Sequence, residues 1–341
     1  MAMIANSNIL LGHGSGGRLS QDLFTGLFAR YFHNPVLDQR TDSAVLQLSG
    51  KHLAFTTDAY VVNPIFFPGA SIGSLAICGT VNDLAVAGAV PLYISSAFIL
   101  EEGLPYSDLE KITADMAEKA REAQVTIVAG DTKVVTKGAC DKIFITTSGI
   151  GLLKPEHIPI STGQNIEIGD KILINGPIAN HGMAILSKRY NLQLQTDVVS
   201  DCAPLNHLIA AVLQAGCDVH FMRDATRGGL ATVLCECVEK KTFGMFIDEA
   251  LIPVDENVRF LCEMFGFDPL YMANEGKVVL VVKRAHAEQV LAVMQQNPLG
   301  RHSTIIGEIT ENPVGKVGLQ TLIGGKRMLD MLAGDPLPRI C

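Results

Sequence analysis

Residues 44–60, AVLQLSGKHLAFTTDAY, alternate apolar and polar side chains on both sides of the turn Ser49-Gly50-Lys51. A period of two broken by a glycine turn predicts an antiparallel hairpin, with strands over 44–48 and 52–60, and not one arm of a parallel repeat. The hairpin decides the fold because of what precedes it. Gly12-His13-Gly14-Ser15-Gly16-Gly17 sets Gly12, Gly14 and Gly17 at the spacing of the dinucleotide fingerprint, with Asp38 about twenty residues further on. A doubly wound fold needs a parallel pair there, so the hairpin sets it aside, and the missing Gly-Lys-Ser/Thr ending sets aside a P-loop. Two readings of the glycine loop stay open: a nest of backbone N–H groups that covers phosphates, or a plain loop.

The 341 residues exceed what one core usually fills, so two domains are expected. With 48% hydrophobic and 18% charged residues, the chain can bury sizeable cores and is not disordered. A net charge of −8 gives no general basic footprint, which argues against nucleic acid and anionic membrane and leaves small anions held by loop N–H groups. No Lys or Arg precedes Arg18 and no apolar run is long enough to span a bilayer, so neither a signal peptide nor a membrane anchor is expected. The protein is read as cytoplasmic. Its eight cysteines are scattered and include no Cys-x-x-Cys pair, which disfavours zinc and thioredoxin-like chemistry.

Several acids stand where structure is expected to change. Asp42, in Thr41-Asp42-Ser43, opens the hairpin, and Asp58 follows Thr57 near its end. Asn82-Asp83 interrupts SIGSLAICGTVNDLAVAGA (71–89), which reads as a small-residue helix, and a carboxylate buried there is costly unless paired or metal-bound. Pro105 opens an amphipathic helix, and the apolar run 125–129 reads as a buried strand ending in Gly130-Asp131-Thr132-Lys133. In the second half Arg223-Asp224-Ala225-Thr226-Arg227-Gly228-Gly229 passes from a strand at 219–222 into a helix, an order suited to phosphate and metal. A helix is also expected over 200–216. Each acid alone is ordinarily a cap or turn residue. Gathered beside a glycine loop they favour metal–nucleotide binding, because Mg²⁺ takes oxygen ligands and shares them with phosphates.

Other positions keep two readings. His181, in Asn180-His181-Gly182, is either functional or a polar residue at a helix start, and Arg223 and Arg227 are open to readings as surface charges or partners of nearby acids. Asn274-Glu275-Gly276-Lys277 puts Glu275 on a loop before the apolar strand 278–282. The chain ends in Gly334-Asp335-Pro336-Leu337-Pro338-Arg339-Ile340-Cys341, whose prolines fix an extended arm. At roughly 3 Å per residue it reaches about 25 Å, so Cys341 is either an accident on a frayed end or a thiol carried between two sites.

GHGSGG (12–17), NDLAVAGA (82–89), GDTKVV (130–135), RDATRGGL (223–230), NEGK (274–277) and PRIC (338–341) together resemble the HypE hydrogenase maturation family of ATP-dependent carbamoyl dehydratases. The likeness extends over essentially the whole chain, and the terminal PRIC is its most specific part. More broadly the chain resembles the PurM-like ATP-binding superfamily, whose other members lack the terminal thiol. The resemblance implies an α+β, two-domain PurM-like fold. Residues 1–154 would form a mixed-sheet, ATP-binding domain that dimerises into a shared barrel. A linker over 155–169, an α/β sandwich domain over 170–333 and a mobile tail over 334–341 would follow.

The same resemblance implies ATP and Mg²⁺ as cofactors. It places Gly12, His13, Gly14, Ser15, Gly16, Gly17, Asp42, Asp58, Asn82, Asp83, Asp131, Thr132 and Arg227 around the nucleotide, and Asp42, Asp58, Asp83 and Asp224 on the metal. A carbamoyltransferase, HypF, would load Cys341. ATP-driven loss of water would then give a thiocyanate, and a HypC–HypD complex would take the cyanide for the [NiFe] hydrogenase centre. Lys133 and Glu275 carry over as a proton-transfer pair near Cys341; alternatively Lys133 only binds phosphate and Glu275 only orders its loop. Three further readings are a scaffold that merely presents Cys341, a synthetase or kinase acting on a free small molecule, and a dinucleotide oxidoreductase.

Overall fold

The hairpin is present: β1 (Ala44–Leu48) pairs antiparallel with β2 (Lys51–Tyr60), Val45 opposite Ala54 and Gln47 opposite His52. The computed structural model describes residues 17–23, 25–26, 35, 37–48, 50–190, 197–332 and 339–341. Gly12, His13, Gly14, Ser15 and Gly16, like Pro336 and Pro338 of the tail, lie outside the described residues. A short helix, α1 (Arg18–Leu23), precedes the hairpin. After it come β3 (Phe66–Phe67), β4 (Ala70–Ser71), α2 (Ile72–Val86), β5 (Ala89–Glu101), α3 (Tyr106–Glu122), β6 (Thr126–Val135) and β7 (Ile143–Leu153). The large strands order as β1-β2-β7-β5-β6, antiparallel except for the β5 and β6 pair.

Helix α2 is apolar on every side, and such a helix must be buried on every side. It lies against β2, β5 and β7 with Ile72, Leu75, Ile77, Val81 and Leu84 sealed from solvent. Small residues permit the approach: a Cβ on Gly149 of β7 would sit 2.6 Å from Thr80 Cγ2. The amphipathic α3 covers α2 with Ile112, Met116 and Ala120. Truncating Ile112 to Ala would cost about 2–5 kcal/mol, the usual range for a core cavity.

The second half contributes β8 (Lys171–Ile174), α4 (Asn180–Arg189), α5 (Asn206–Gln214), β9 (Val219–Asp224), α6 (Gly229–Val238), β10 (Gly244–Asp248), α7 (Glu256–Phe265), β11 (Val278–Val282), α8 (Ala287–Gln295), β12 (Thr304–Thr310), β13 (Val317–Gln320) and β14 (Lys326–Leu329). Its seven-stranded sheet orders as β14-β13-β10-β12-β8-β11-β9. The unbroken apolar run of β11 is explained by burial on both faces. Val279 and Val281 join the cluster under α6, while Val278, Leu280 and Val282 join the one under α5 and α8. Ala85 and Val86 of α2 enter that second cluster beside Leu208 and Ile209, so the end of α2 is a joint between the halves.

Three expectations need correction. The strand read as buried over 125–129 runs on through Gly130-Asp131-Thr132-Lys133 and is exposed along nearly all its length. It is the edge of the first sheet, so its apolar residues meet no partner within the chain: Val128 is 58% and Val134 67% exposed. The helix expected from residue 200 begins at Asn206, because side chains capture the backbone donors before it; Cys202 N–H bonds Ser200 Oγ and Leu205 N–H bonds Asn82 Oδ1. Strand β9 extends to Asp224 and does not stop at Met222.

The first sheet covers α2 with one face and leaves the other open, where Phe55, Tyr93, Ile99, Ile150 and Leu152 are exposed. A contiguous apolar face of this kind marks an interaction surface. No helix among the described residues is long and apolar enough to cross a membrane.

Candidate active site

Three elements and the loop before β1 carry the expected metal acids. Asp42 stands just before β1, Asp58 lies on β2, Asp83 lies on α2 and Asp224 closes β9. Thr56 Oγ1 is 2.7 Å from Asp83 Oδ2 and 3.0 Å from the Asp42 carbonyl, and Ser43 Oγ donates to the Asp83 carbonyl at 3.0 Å. Arg223 Nε donates to Asp42 Oδ2 at 3.0 Å, and its Nη1 donates to Glu236 Oε2 at 3.1 Å, so Arg223 is a structural partner of acids.

The electrostatics are those of crowded carboxylates. Burial pushes the Asp83 carboxyl well above its ordinary range, and the charges of Asp224, Asp58 and Asp42 push it further. Burial, then Asp42, raises Asp224 to about 8. Asp58 is raised by burial, against an N–H donated by Ala59 and the nearby Arg227 cation. Glu275 is also driven well up, by burial and by Cys202, Asp224, Asp201 and Asp58, and its Oε1 is buried with no hydrogen-bond partner.

Hard oxygen donors that repel one another fit a divalent cation. Among the described residues no three acidic, His or Cys side chains are already gathered into a ligand cage. Beside the acids opens a cleft of about 1010 Å³, lined by Asp42, Phe55, Thr56, Phe221, Arg223 and Lys241 among others. Gly228 (φ 78°) and Gly229 (φ 63°) are left-handed, and they turn the chain from Arg227 into the N-terminus of α6.

Other expected residues are placed differently. Asn82 is 1% exposed and its amide is occupied: Nδ2 donates to the Ala203 and Glu275 carbonyls at 3.1 and 3.3 Å, and Oδ1 accepts from Leu205 N–H. It staples α2 to the Glu275 loop. Gly17 is pressed against the Leu332 carbonyl, which accepts from Arg18 N–H at 3.1 Å. Asp131, Thr132 and Lys133 lie on the exposed edge strand, Asp131 accepting from Thr132 N–H at 2.8 Å and standing 3.7 Å from Lys133 Nζ. Among the described residues no contact within the chain joins Lys133 to Glu275.

The Glu275 loop is held by Asp201, which sequence reasoning missed. Its carboxylate accepts from Glu275 N–H (3.1 Å), Gly276 N–H (3.2 Å) and Lys277 Nζ (2.8 Å). Burial alone would raise the Asp201 carboxyl, but Lys277 outweighs it and holds the group below its ordinary range. The available signal was an acid at the start of the stretch 200–216 that reads as helix.

The chain's last three residues are docked. Val61 N–H bonds a main-chain oxygen of Cys341 and Asn63 N–H the Arg339 carbonyl, each at 3.1 Å, just beyond the end of β2 that carries Asp58. Arg189 Nη2 donates to the Arg339 carbonyl at 2.9 Å, and the Arg339 guanidinium pairs with Asp141. Ile340 is 3% exposed within a core cluster that joins residues of both halves, and Cys341 packs against the same cluster.

Residues 40–153 match the N-terminal domain of AIR synthase related proteins, and residues 167–320 match their C-terminal domain. The carbamoyl dehydratase HypE of Bradyrhizobium diazoefficiens is 46% identical over 99% of this chain and 97% of its own. Among solved structures, the chain is similar to HypE in complex with ATP (46% identity, TM-score 0.82, 98% of this chain and 100% of that one). It is likewise similar to a chain of the HypE–HypF complex (46% identity, TM-score 0.85, 91% and 99%).

Proposed function

Since the chain belongs to the HypE family of carbamoyl dehydratases, we propose that its carbamoyl substrate is carried on its own Cys341, which the docked tail holds at the end of the strand that carries Asp58. It is an enzyme of hydrogenase maturation, a lyase that removes water from a carbamoyl group and supplies the cyanide ligands of the hydrogenase iron. The observation that carries the Cys341 assignment is the bond from Val61 N–H to a main-chain oxygen of Cys341, which brings the terminal residue to the end of the strand bearing Asp58.

Expelling oxygen from S–C(=O)–NH₂ is difficult because oxide is a poor leaving group. ATP supplies the remedy, since a phosphoryl group taken up by the carbamoyl oxygen lets it depart as phosphate, giving S–C≡N, ADP, phosphate and two protons from nitrogen. Asp42, Asp58, Asp83 and Asp224 would hold Mg²⁺, which neutralises phosphate charge. Backbone N–H groups of residues 12–17, with Arg227 and the N-terminus of α6, would bind the phosphates. Asp131 and Thr132 belong to the same proposed nucleotide set, and Asn82 fixes α2 against the Glu275 loop.

Glu275 is suited to accept a carbamoyl proton because burial and neighbouring acids raise its affinity for one. Lys133 lies on the open edge of the first sheet, so it would join the reaction only in a homodimer that closes over that face. We assign residues 1–154 and 170–333 to the two domains, with 155–169 as linker. HypF is the proposed carbamoylating partner and a HypC–HypD complex the proposed acceptor, in the cytoplasm.

Intact mass of the carbamoylated protein before and after ATP tests the reading. Loss of one water, located on the C-terminal peptide, is expected. An unchanged mass with ATP bound would favour a scaffold that only presents the thiol.

A further inference from the structure

The terminal tripeptide has a receptor that the catalytic groups do not explain. His181, at the start of α4, is completely buried, and both of its ring nitrogens are used. Nε2 is 2.7 Å from the Ile340 carbonyl oxygen and Nδ1 is 2.8 Å from Ser200 Oγ. A carbonyl can only accept, so Nε2 carries the proton. Burial lowers the pKa of the imidazole, so Nδ1 is left as the acceptor of the Ser200 hydroxyl proton. Ser200 Oγ in turn accepts from Cys202 N–H at 3.1 Å. The Phe67 ring meets the imidazole edge-on, with centroids 5.4 Å apart, and fixes its plane.

The next residue, Asp201, carries the Glu275 loop on its carboxylate. One short segment, 200–202, therefore holds the tail through His181 and the Glu275 loop through Asp201. Position of the thiol and position of the buried carboxylate are set from a common support.

Resting on the dehydratase reading, we propose that His181 is a positioning residue: its hydrogen bond to the Ile340 carbonyl is the latch that seats Cys341 for dehydration and opens when the tail leaves to be carbamoylated. His181 acts through the Ile340 carbonyl, one residue before the thiol. When the tail leaves, the buried Nε2–H loses its acceptor, so the bond biases the tail toward the docked state without making it permanent.

The test compares His181→Leu with His181→Gln, whose side-chain amide offers an N–H at about the place of Nε2. Two rates are read on full-length protein: alkylation of Cys341 by a soluble maleimide, followed on the C-terminal peptide, and single-turnover water loss from carbamoylated protein with ATP. In His181→Leu, alkylation should rise and water loss should fall, each by about tenfold, with ATP affinity unchanged, and His181→Gln should return both toward the wild type. Wild-type rates in His181→Leu overturn the latch, as does equal impairment of both variants with ATP binding lost. If His181→Leu does not fold, Ser200→Ala decides: faster alkylation supports the latch and an unchanged rate overturns it. Should wild-type carbamoylated protein lose no water, the dehydratase reading fails, while the alkylation comparison still decides the latch.

Discussion

Lys277 Nζ lies 2.8 Å from the Asp201 carboxylate, and both side chains are about nine-tenths buried. An ion pair of this kind is costly to break, because removing one partner strands the other charge in the interior. Asp201→Asn should therefore destabilise the protein by about 3 kcal/mol at neutral pH. The Asp201 pKa is depressed in the fold from an ordinary 3.8, so its stabilisation is present above that value and disappears as pH falls through the lower folded one. Urea unfolding of wild type and variant across acid pH should show the difference narrowing in that window. A constant difference would mean that Asp201 acts through packing.

The acid cluster has the opposite sign. Asp224 holds its proton up to about 8 in the fold against 3.8 ordinarily, so the ligand-free protein should lose stability as pH rises across that interval. Thermal melts in a chelator should show this slope, Asp224→Asn should flatten it, and Mg²⁺ with ATP should reduce it by satisfying the carboxylates. A slope unaffected by Asp224→Asn would place its origin elsewhere.

Cys341→Ala keeps the main-chain oxygen that Val61 holds and removes only sulfur. Melting temperature and ATP affinity should be unchanged while water loss is abolished. A fall in melting temperature of several degrees would make Cys341 a structural residue.

The open face of the first sheet exposes Ile150 and Tyr93 on adjacent antiparallel strands, each opposite the other. A charge placed there should oppose a subunit interface, so Ile150→Glu should convert a homodimer to a monomer in sedimentation velocity without unfolding it. A monomeric wild type, or a dimer that survives the substitution, would remove this face from the interface.

The local pattern was informative where one chain segment determines the outcome. The alternation around Gly50 predicts the hairpin that forms and the apolar run 71–89 the buried α2, while of the expected acids Asp42, Asp58, Asp83 and Asp224 lie near one another and Asp131 does not. What could not be read depends on tertiary neighbours. The run 125–129 is apolar enough for a core strand, but nothing in periodicity says that it lies at the edge of its sheet. The resemblance places Asn82 around the nucleotide, but adjacent helical residues face about 100° apart, and the Asn82 amide is bonded to the second half. His181 left two readings because its role rests on a residue 159 positions away.

Val61, Asn63, His181 and Arg189 all grip the tail by main-chain oxygens, those of residues 339, 340 and 341. Bonds of this kind do not read the state of a side chain. On the proposed reading, in which Cys341 carries the carbamoyl group, they would be the same for a thiol, a carbamoyl group and a thiocyanate, so this part of the grip would yield to a competitor for the tail's main chain and not to the progress of the reaction.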